Sequence, residues 1–230
     1  MSKLSLFKRT LVLATGLLAL SATATAFADL ISYDIGVPNS GLTTYPAPYA
    51  TVSIDRTSST TANVTFNALS TAAYDYLLGG QGVVDLNVNG TFNVSGISES
   101  NKYGAGFMPQ PTGYPHVSSG NVSSFGTFNL SLDNFDGFTH AATSISFLLT
   151  NTSGAWNSAG DVLTSNGSSY VAAAHVFACT SPCSSTQENV ITGFAANGGG
   201  NVPVPAPPIV PLAVFGLIII GWMYRRHRMV

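Results

Sequence analysis

Thr51-Val52-Ser53-Ile54-Asp55-Arg56-Thr57-Ser58-Ser59-Thr60-Thr61-Ala62-Asn63-Val64-Thr65-Phe66 is the stretch on which the fold turns. Val52 and Ile54 alternate with polar residues. Ala62, Val64 and Phe66 do so again. Successive side chains of a strand point to opposite faces, so period-two alternation marks strands with one buried face. Asp55–Thr60, polar and rich in Ser and Thr, reads as the loop between them, and the whole predicts a β-hairpin.

The same pattern recurs outward. Phe128, Leu130 and Leu132 predict a strand over Phe125–Leu132, and Ile145, Phe147 and Leu149 one over Ser144–Leu149. Tyr170–Ala178 predicts another, and Ala68–Leu78 suits a short helix or a strand. Val84, Leu86, Val88, Phe92 and Val94 share one parity. A two-residue turn at Asn89-Gly90 would set apolar residues opposite polar ones, against that parity. The preferred reading is one long strand through Gly90, with a three-residue loop at Asn89–Thr91 as the alternative. Seven or eight strands with little helix imply an all-β body, an antiparallel β-sandwich or jelly roll.

Composition agrees with exposed β structure. Charged residues are only 8% of the 230, and Ser, Thr, Asn and Gly fill the middle of the chain. Three of the eight Lys and Arg (Lys3, Lys8, Arg9) precede the first apolar run, and three (Arg225, Arg226, Arg228) follow the last. Only Arg56 and Lys102 remain between, against all ten acidic residues. An acidic body without a basic patch argues against nucleic-acid binding and against adsorption to anionic lipid.

The ends carry targeting signals. Met1–Arg9 is basic, Leu11–Leu20 apolar, and Ala26-Phe27-Ala28 places small residues at the positions signal peptidase requires. Cleavage is expected after Ala28. The apolar run falls short of the ~20 residues of a spanning helix. At the other end, Val202-Pro203-Val204-Pro205-Ala206-Pro207-Pro208 is biased to polyproline II. Ile209–Tyr224 then runs without a charge, ends in Trp222 and Tyr224, and meets Arg225-Arg226-His227-Arg228. Aromatics at the headgroup level and retained positive charge predict a transmembrane helix with its tail inside and the body outside. The reading is 1–28 signal peptide, 29–196 ectodomain, 197–208 Gly/Pro linker with sorting motif, 209–224 transmembrane helix and 225–230 cytoplasmic basic tail.

A Val-Pro-x-Pro-Ala motif (Val202, Pro203, Val204, Pro205, Ala206), one apolar helix and a terminal Arg cluster together resemble the PEP-CTERM sorting signal. Val204 replaces the usual central Glu, so the tail is closer to the Val-Pro-Leu-Pro-Ala variant. The Tyr170–Phe177 segment, Gly193-Phe194-Ala195 and the glycine run after them also look like the end of many PEP-CTERM ectodomains. The resemblance implies recognition by an exosortase-type membrane protease, a cysteine transpeptidase, after anchoring at the inner membrane. A plain single-pass anchor is the competing reading. The expected destination is the cell surface or extracellular matrix.

Cys179 and Cys183, an even, close pair in an exported chain, read as a disulfide stiffening a turn after the last strand. Asp133-Asn134-Phe135-Asp136-Gly137 admits two readings, calcium ligands at Asp133, Asn134 and Asp136 or a plain turn. His175 reads as a strand histidine, and His116 follows a Pro/Gly-rich loop. Seven sequons (Asn63, Asn89, Asn93, Asn121, Asn129, Asn151, Asn166) follow from much Asn, Ser and Thr. No G-x-S-x-G elbow or H-E-x-x-H helix occurs, so no catalytic residue and no cofactor are expected.

The leading expectation is a non-catalytic structural or adhesive protein of the cell surface or exopolysaccharide matrix. A carbohydrate-binding module comes second, with Tyr33, Tyr45, Tyr49, Tyr103 or Tyr114 stacking on sugar rings. A secreted hydrolase ranks third.

Overall fold

The hairpin at residues 51–66 forms, as β2 (Ala50–Arg56) paired antiparallel with β3 (Thr61–Ala68). Ile54 faces Val64 and Val52 faces Phe66, and all four are buried. Arg56 still belongs to the strand, so the loop is shorter than expected, because Thr57 and Ser58 bond back to Thr61. The computed structural model describes residues 29–101 and 106–198. The signal peptide with Ala26 and Ala28, the sorting motif Val202–Ala206, the apolar run 209–224 and the basic stop Arg225, Arg226 and Arg228 lie outside the described residues, as does Tyr103. Among the described residues no helix is long and apolar enough to cross a membrane.

The remaining strands are β1 (Asp29–Pro38), β4 (Tyr74–Leu78), β5 (Val84–Leu86), β6 (Phe92–Asn101), β7 (His116–Val122), β8 (Gly126–Asp133), β9 (Ala142–Asn151), β10 (Ala172–Thr180) and β11 (Ile191–Asn197). The body is all-β and every strand pairing is antiparallel. The eleven strands belong to one hydrogen-bonded sheet. Its pairings run β1–β2–β3–β9–β4–β10–β11 and return to β1, with a single bridge, Leu78 to Ala142, joining β4 to β9.

This circuit encloses the main core. The inward residues Ile31, Tyr33, Ile35, Val52, Ile54, Val64, Phe66, Ile145, Phe147 and Leu149 all belong to one buried cluster. A second group of strands branches from β10. Ala172–Ala174 pair with β5, β5 pairs with β8, and β8 pairs with β7, the last strand in the order. β6 lines the other edge of β9. β11 runs antiparallel to β1, so the chain leaves toward the end at which Asp29 begins.

Two expectations are corrected, and one alternative left open is decided. No strand runs through Gly90: β5 ends at Leu86 and β6 starts at Phe92, and they pair with different neighbours. Gly90 sits at φ +92°, a left-handed conformation that suits glycine, and the turn is fixed by Trp156 Nε1 donating to Asn89 O at 2.9 Å. Parity still held for Val84, Leu86 and Val88, all buried. Of the helix and the strand open to residues 68–78, the strand forms, as β4. Asn197 belongs to β11 and is buried, its side-chain oxygen accepting from Val171 N and Ala172 N, so the body extends past residue 196.

Cys179 and Cys183 are bonded to each other, both buried. The bridge ties Cys179, near the end of β10, to Cys183 in the turn that follows, with β11 still to come, so it staples the turn before the last strand.

Candidate functional site

β5 is three residues long and lies between β10 and β8. Val84 and Leu86 face the main core. Asp85 must then point to the opposite face, because side chains alternate. Its cross-strand neighbours there are Ala173 on one side and Ser131 on the other. Ala173 belongs to a smaller apolar cluster with Val122, Phe125, Phe128 and Ala196. The carboxyl group is therefore enclosed, and Asp85 has no exposed surface.

Asp85 lines a cleft of about 230 Å³ between β7, β8 and the loop before β5, with Phe194 of β11 at its side. Two glycines let the walls close on it. A side chain at Gly82, which has φ +60°, would lie 3.3 Å from Asp85 Oδ2. One at Gly120, where the register of β7 on β8 shifts, would lie 3.1 Å from Ser131 Oγ and 3.7 Å from Asp85 Oδ1. Neither oxygen of Asp85 has a hydrogen-bond partner. Ser131 is near enough to favour the ionised form without a hydrogen bond of proper geometry. Burial above all, and then the Asp133 charge, push the carboxyl well above the usual carboxylate range. Asp133 also lines the cleft, its Oδ1 accepting from Gly82 N at 2.6 Å and its Oδ2 from Ser118 Oγ at 3.3 Å. No Lys, Arg or His is in the lining.

The calcium reading of Asp133, Asn134 and Asp136 is not supported as a set. Asp133 faces the cleft, Asn134 is buried next to the Glu99 carboxylate, and Asp136 is exposed. The turn at the end of β8 sends consecutive residues to different sides. Among the described residues no three His, Cys, Asp or Glu side chains converge as metal ligands.

His175 packs between aromatic rings, stacked on Phe194 at 4.4 Å and tilted against Phe177. Its Nε2 lies 2.7 Å from Thr192 Oγ1, which in turn lies 3.2 Å from Val176 O. The hydroxyl can donate to only one of them. Nε2–H donating to Thr192, and Thr192 to the carbonyl, satisfies all three and leaves the buried Nδ1 bare. Burial pushes the imidazole below its usual range, opposed by the Asp136 charge and nearby backbone. This is packing chemistry in a strand.

The tyrosines separate by environment. Tyr33 and Tyr49 are buried in the core, Tyr49 edge-on to Tyr76. Tyr45 packs edge-on to Tyr74 against the same core. Tyr33 and Tyr49 are thereby closed to a sugar, and Tyr45 is half-buried. Tyr114 differs: it stacks on His116 at 4.2 Å and meets Phe135 edge-on, and Phe135 meets His140. Phe135 is 39% exposed, so this file of rings reaches the surface.

Several sequon asparagines serve the fold itself. Asn129 accepts from Val88 N and donates to Val88 O, both at 2.8 Å, and Asn166 donates to Phe125 O. Asp85 was missed in the sequence, although a signal was present. A single Asp inside Val83-Val84-Asp85-Leu86 is a polar residue in an apolar run too short to show a period. Compared with protein-family models, curated proteins and solved structures, the chain matches none.

Proposed function

We propose that the chain is an exported cell-surface or exopolysaccharide-matrix protein of structural or adhesive type, anchored by its C-terminal apolar segment and sorted by an exosortase-type transpeptidase. Its body, in this reading, is a folded-over antiparallel sheet of the sandwich or jelly-roll type. Signal peptidase and the exosortase are its processing partners and exopolysaccharide its surroundings. The observation that carries the reading is the bracketing of one acidic β body by two opposed targeting segments, a cleavable leader and a Val-Pro-x-Pro-Ala tail closed by Arg225, Arg226 and Arg228. The fold is compatible with it. Asp29, the first residue after the expected cut, already pairs with Ile54's strand neighbour Arg56, its Oδ2 3.4 Å from Arg56 Nε. Mature protein would keep this contact.

Fractionation of producing cells tests the reading. The full chain should be in the membrane fraction with a mature N-terminus at Asp29, and a chain ending at residue 201 should be released. Full-length chain that stays soluble without detergent, or begins at Met1, would overturn it.

A second reading, a carbohydrate-binding surface module, draws on the surface file of His116, Tyr114, Phe135 and His140. Aromatic faces stack on the apolar faces of sugars and tolerate polar rims. Binding on a glycan array that Tyr114→Ala removes would favour this reading. Binding that survives the change would count against it.

A further inference from the structure

The Asp85 cleft sets two carboxyl groups in one enclosure with no basic side chain in its lining. Arg56, the basic side chain of the described body, is engaged with Asp29. A buried carboxyl without a hydrogen bond or counter-charge is costly. We infer that the cleft is a binding site for a hard divalent cation of the calcium class, held between the Asp85 and Asp133 carboxylates and completed by Ser118, Ser131 and water.

Three observations carry this. First, Asp85 is fully buried, its oxygens are without a hydrogen-bond partner, and it is one of the residues that line the cleft. Secondly, the chemistry of the lining is hydroxyl, amide and carboxylate oxygen, which is what calcium takes in preference to nitrogen or sulfur. Each Asp133 oxygen has one hydrogen bond and keeps a lone pair for a metal. Thirdly, the enclosure is tight at Asp85. Calcium binds oxygen at about 2.3–2.6 Å, so the buried Asp85 oxygens would supply inner ligands while water completes the shell from the cleft. The site differs from the one expected at Asp133, Asn134 and Asp136, sharing only Asp133.

Two carboxylates make a weak site. The expected Kd is in the range of about 0.1–1 mM found for extracellular calcium modules. Only this range rests on export; the geometry does not.

Full chain, purified in mild detergent and stripped with a chelator, is titrated with calcium chloride at neutral pH while Tm is followed. Unaltered protein should gain about 2–6 °C at roughly 10 mM calcium. Asp85→Asn should abolish the gain, and Asp136→Asn, outside the cleft, should leave it intact. Equilibrium dialysis of the unaltered chain should find one class of bound calcium with a Kd in that range, a measurement that does not depend on any variant folding. No calcium-dependent shift, an equal shift in Asp85→Asn, or no ion bound in dialysis would each overturn the inference. In that case Asp85 is simply a proton-bearing acid.

Discussion

The circuit around β2, β3 and β9 and the branch of β5, β7 and β8 are held together by different materials. In the first, cross-strand pairs such as Val64 with Phe147 and Phe66 with Ile145 bury apolar side chains against one core. Outward positions there carry Ser, Thr and Asn, such as Ser53, Asn63, Thr65 and Ser146. In the branch, side-chain amides and carboxyls add to the ladder hydrogen bonds. Asn129 grips both polar groups of Val88, and Asp133 holds Gly82 N. Apolar burial is non-directional and tolerant, whereas a polar peg is all or nothing, because a lost partner strands a buried group. The first region is built for stability and the second for a defined local shape.

The largest effect should come from the first region. Phe66→Ala removes a fully buried ring from the circuit and is expected to cost about 3–5 kcal/mol in denaturant unfolding. A loss below about 1 kcal/mol would mean that the circuit's core is not the main source of stability. Asn129→Ala tests the branch. Two hydrogen bonds to Val88 disappear, for an expected loss of about 1–3 kcal/mol. Hydrogen exchange should quicken at Val88 while Val64 stays protected. Equal quickening at both would abolish the distinction between the regions.

The smallest change should have the opposite sign. Folding raises the Asp85 pKa well above its ordinary 3.8, chiefly by burial, so above about pH 3.8 the folded chain holds on to a proton that the unfolded chain releases. The unfolded state therefore binds fewer protons, and stability falls as pH rises above that value. Chelator-treated Asp85→Asn should be more stable than the parent at neutral pH, with the gap closing as pH falls toward 3.8. His175 acts at the other side. Burial lowers its pKa in the folded chain, so the unfolded chain takes up a proton first, near pH 6.5, and stability also falls as pH drops below that point. Tm measured from pH 4 to 8 should keep this acid limb in both proteins. Asp85→Asn that is less stable than the parent at pH 8 would mean the carboxylate is paired.

Much of the fold was legible. The parity of Val52, Ile54, Ala62, Val64 and Phe66 led directly to β2 and β3, and that of Ile145, Phe147 and Leu149 to β9. Strands β1, β7 and β11 were harder to read. β7 shows mostly exposed residues, so it carries no apolar period to detect. β11 is rich in small residues that pack without a pattern of size. The long strand expected through Gly90 failed because parity tells which face a side chain takes, but not whether the chain keeps the same neighbour.

Of the candidate sites, the Cys179–Cys183 pair was legible because two cysteines so close can meet across one turn. The Asp133, Asn134 and Asp136 set was not, since adjacency in a turn sends side chains apart. The tyrosines show the same limit: Tyr33 and Tyr49 lie in Pro/Gly-rich or polar surroundings in sequence but are core residues in space.

Alternation of apolar and polar residues thus determined, without any structure, that this body is antiparallel β, because strand geometry is a local property with period two. Which strands meet, and hence that Asp85 is sealed beside Asp133 beneath Gly120, was decided only by the tertiary fold. That enclosure joins residues 85, 120, 131 and 133, and no local rule of the backbone carries information across such distances in the chain.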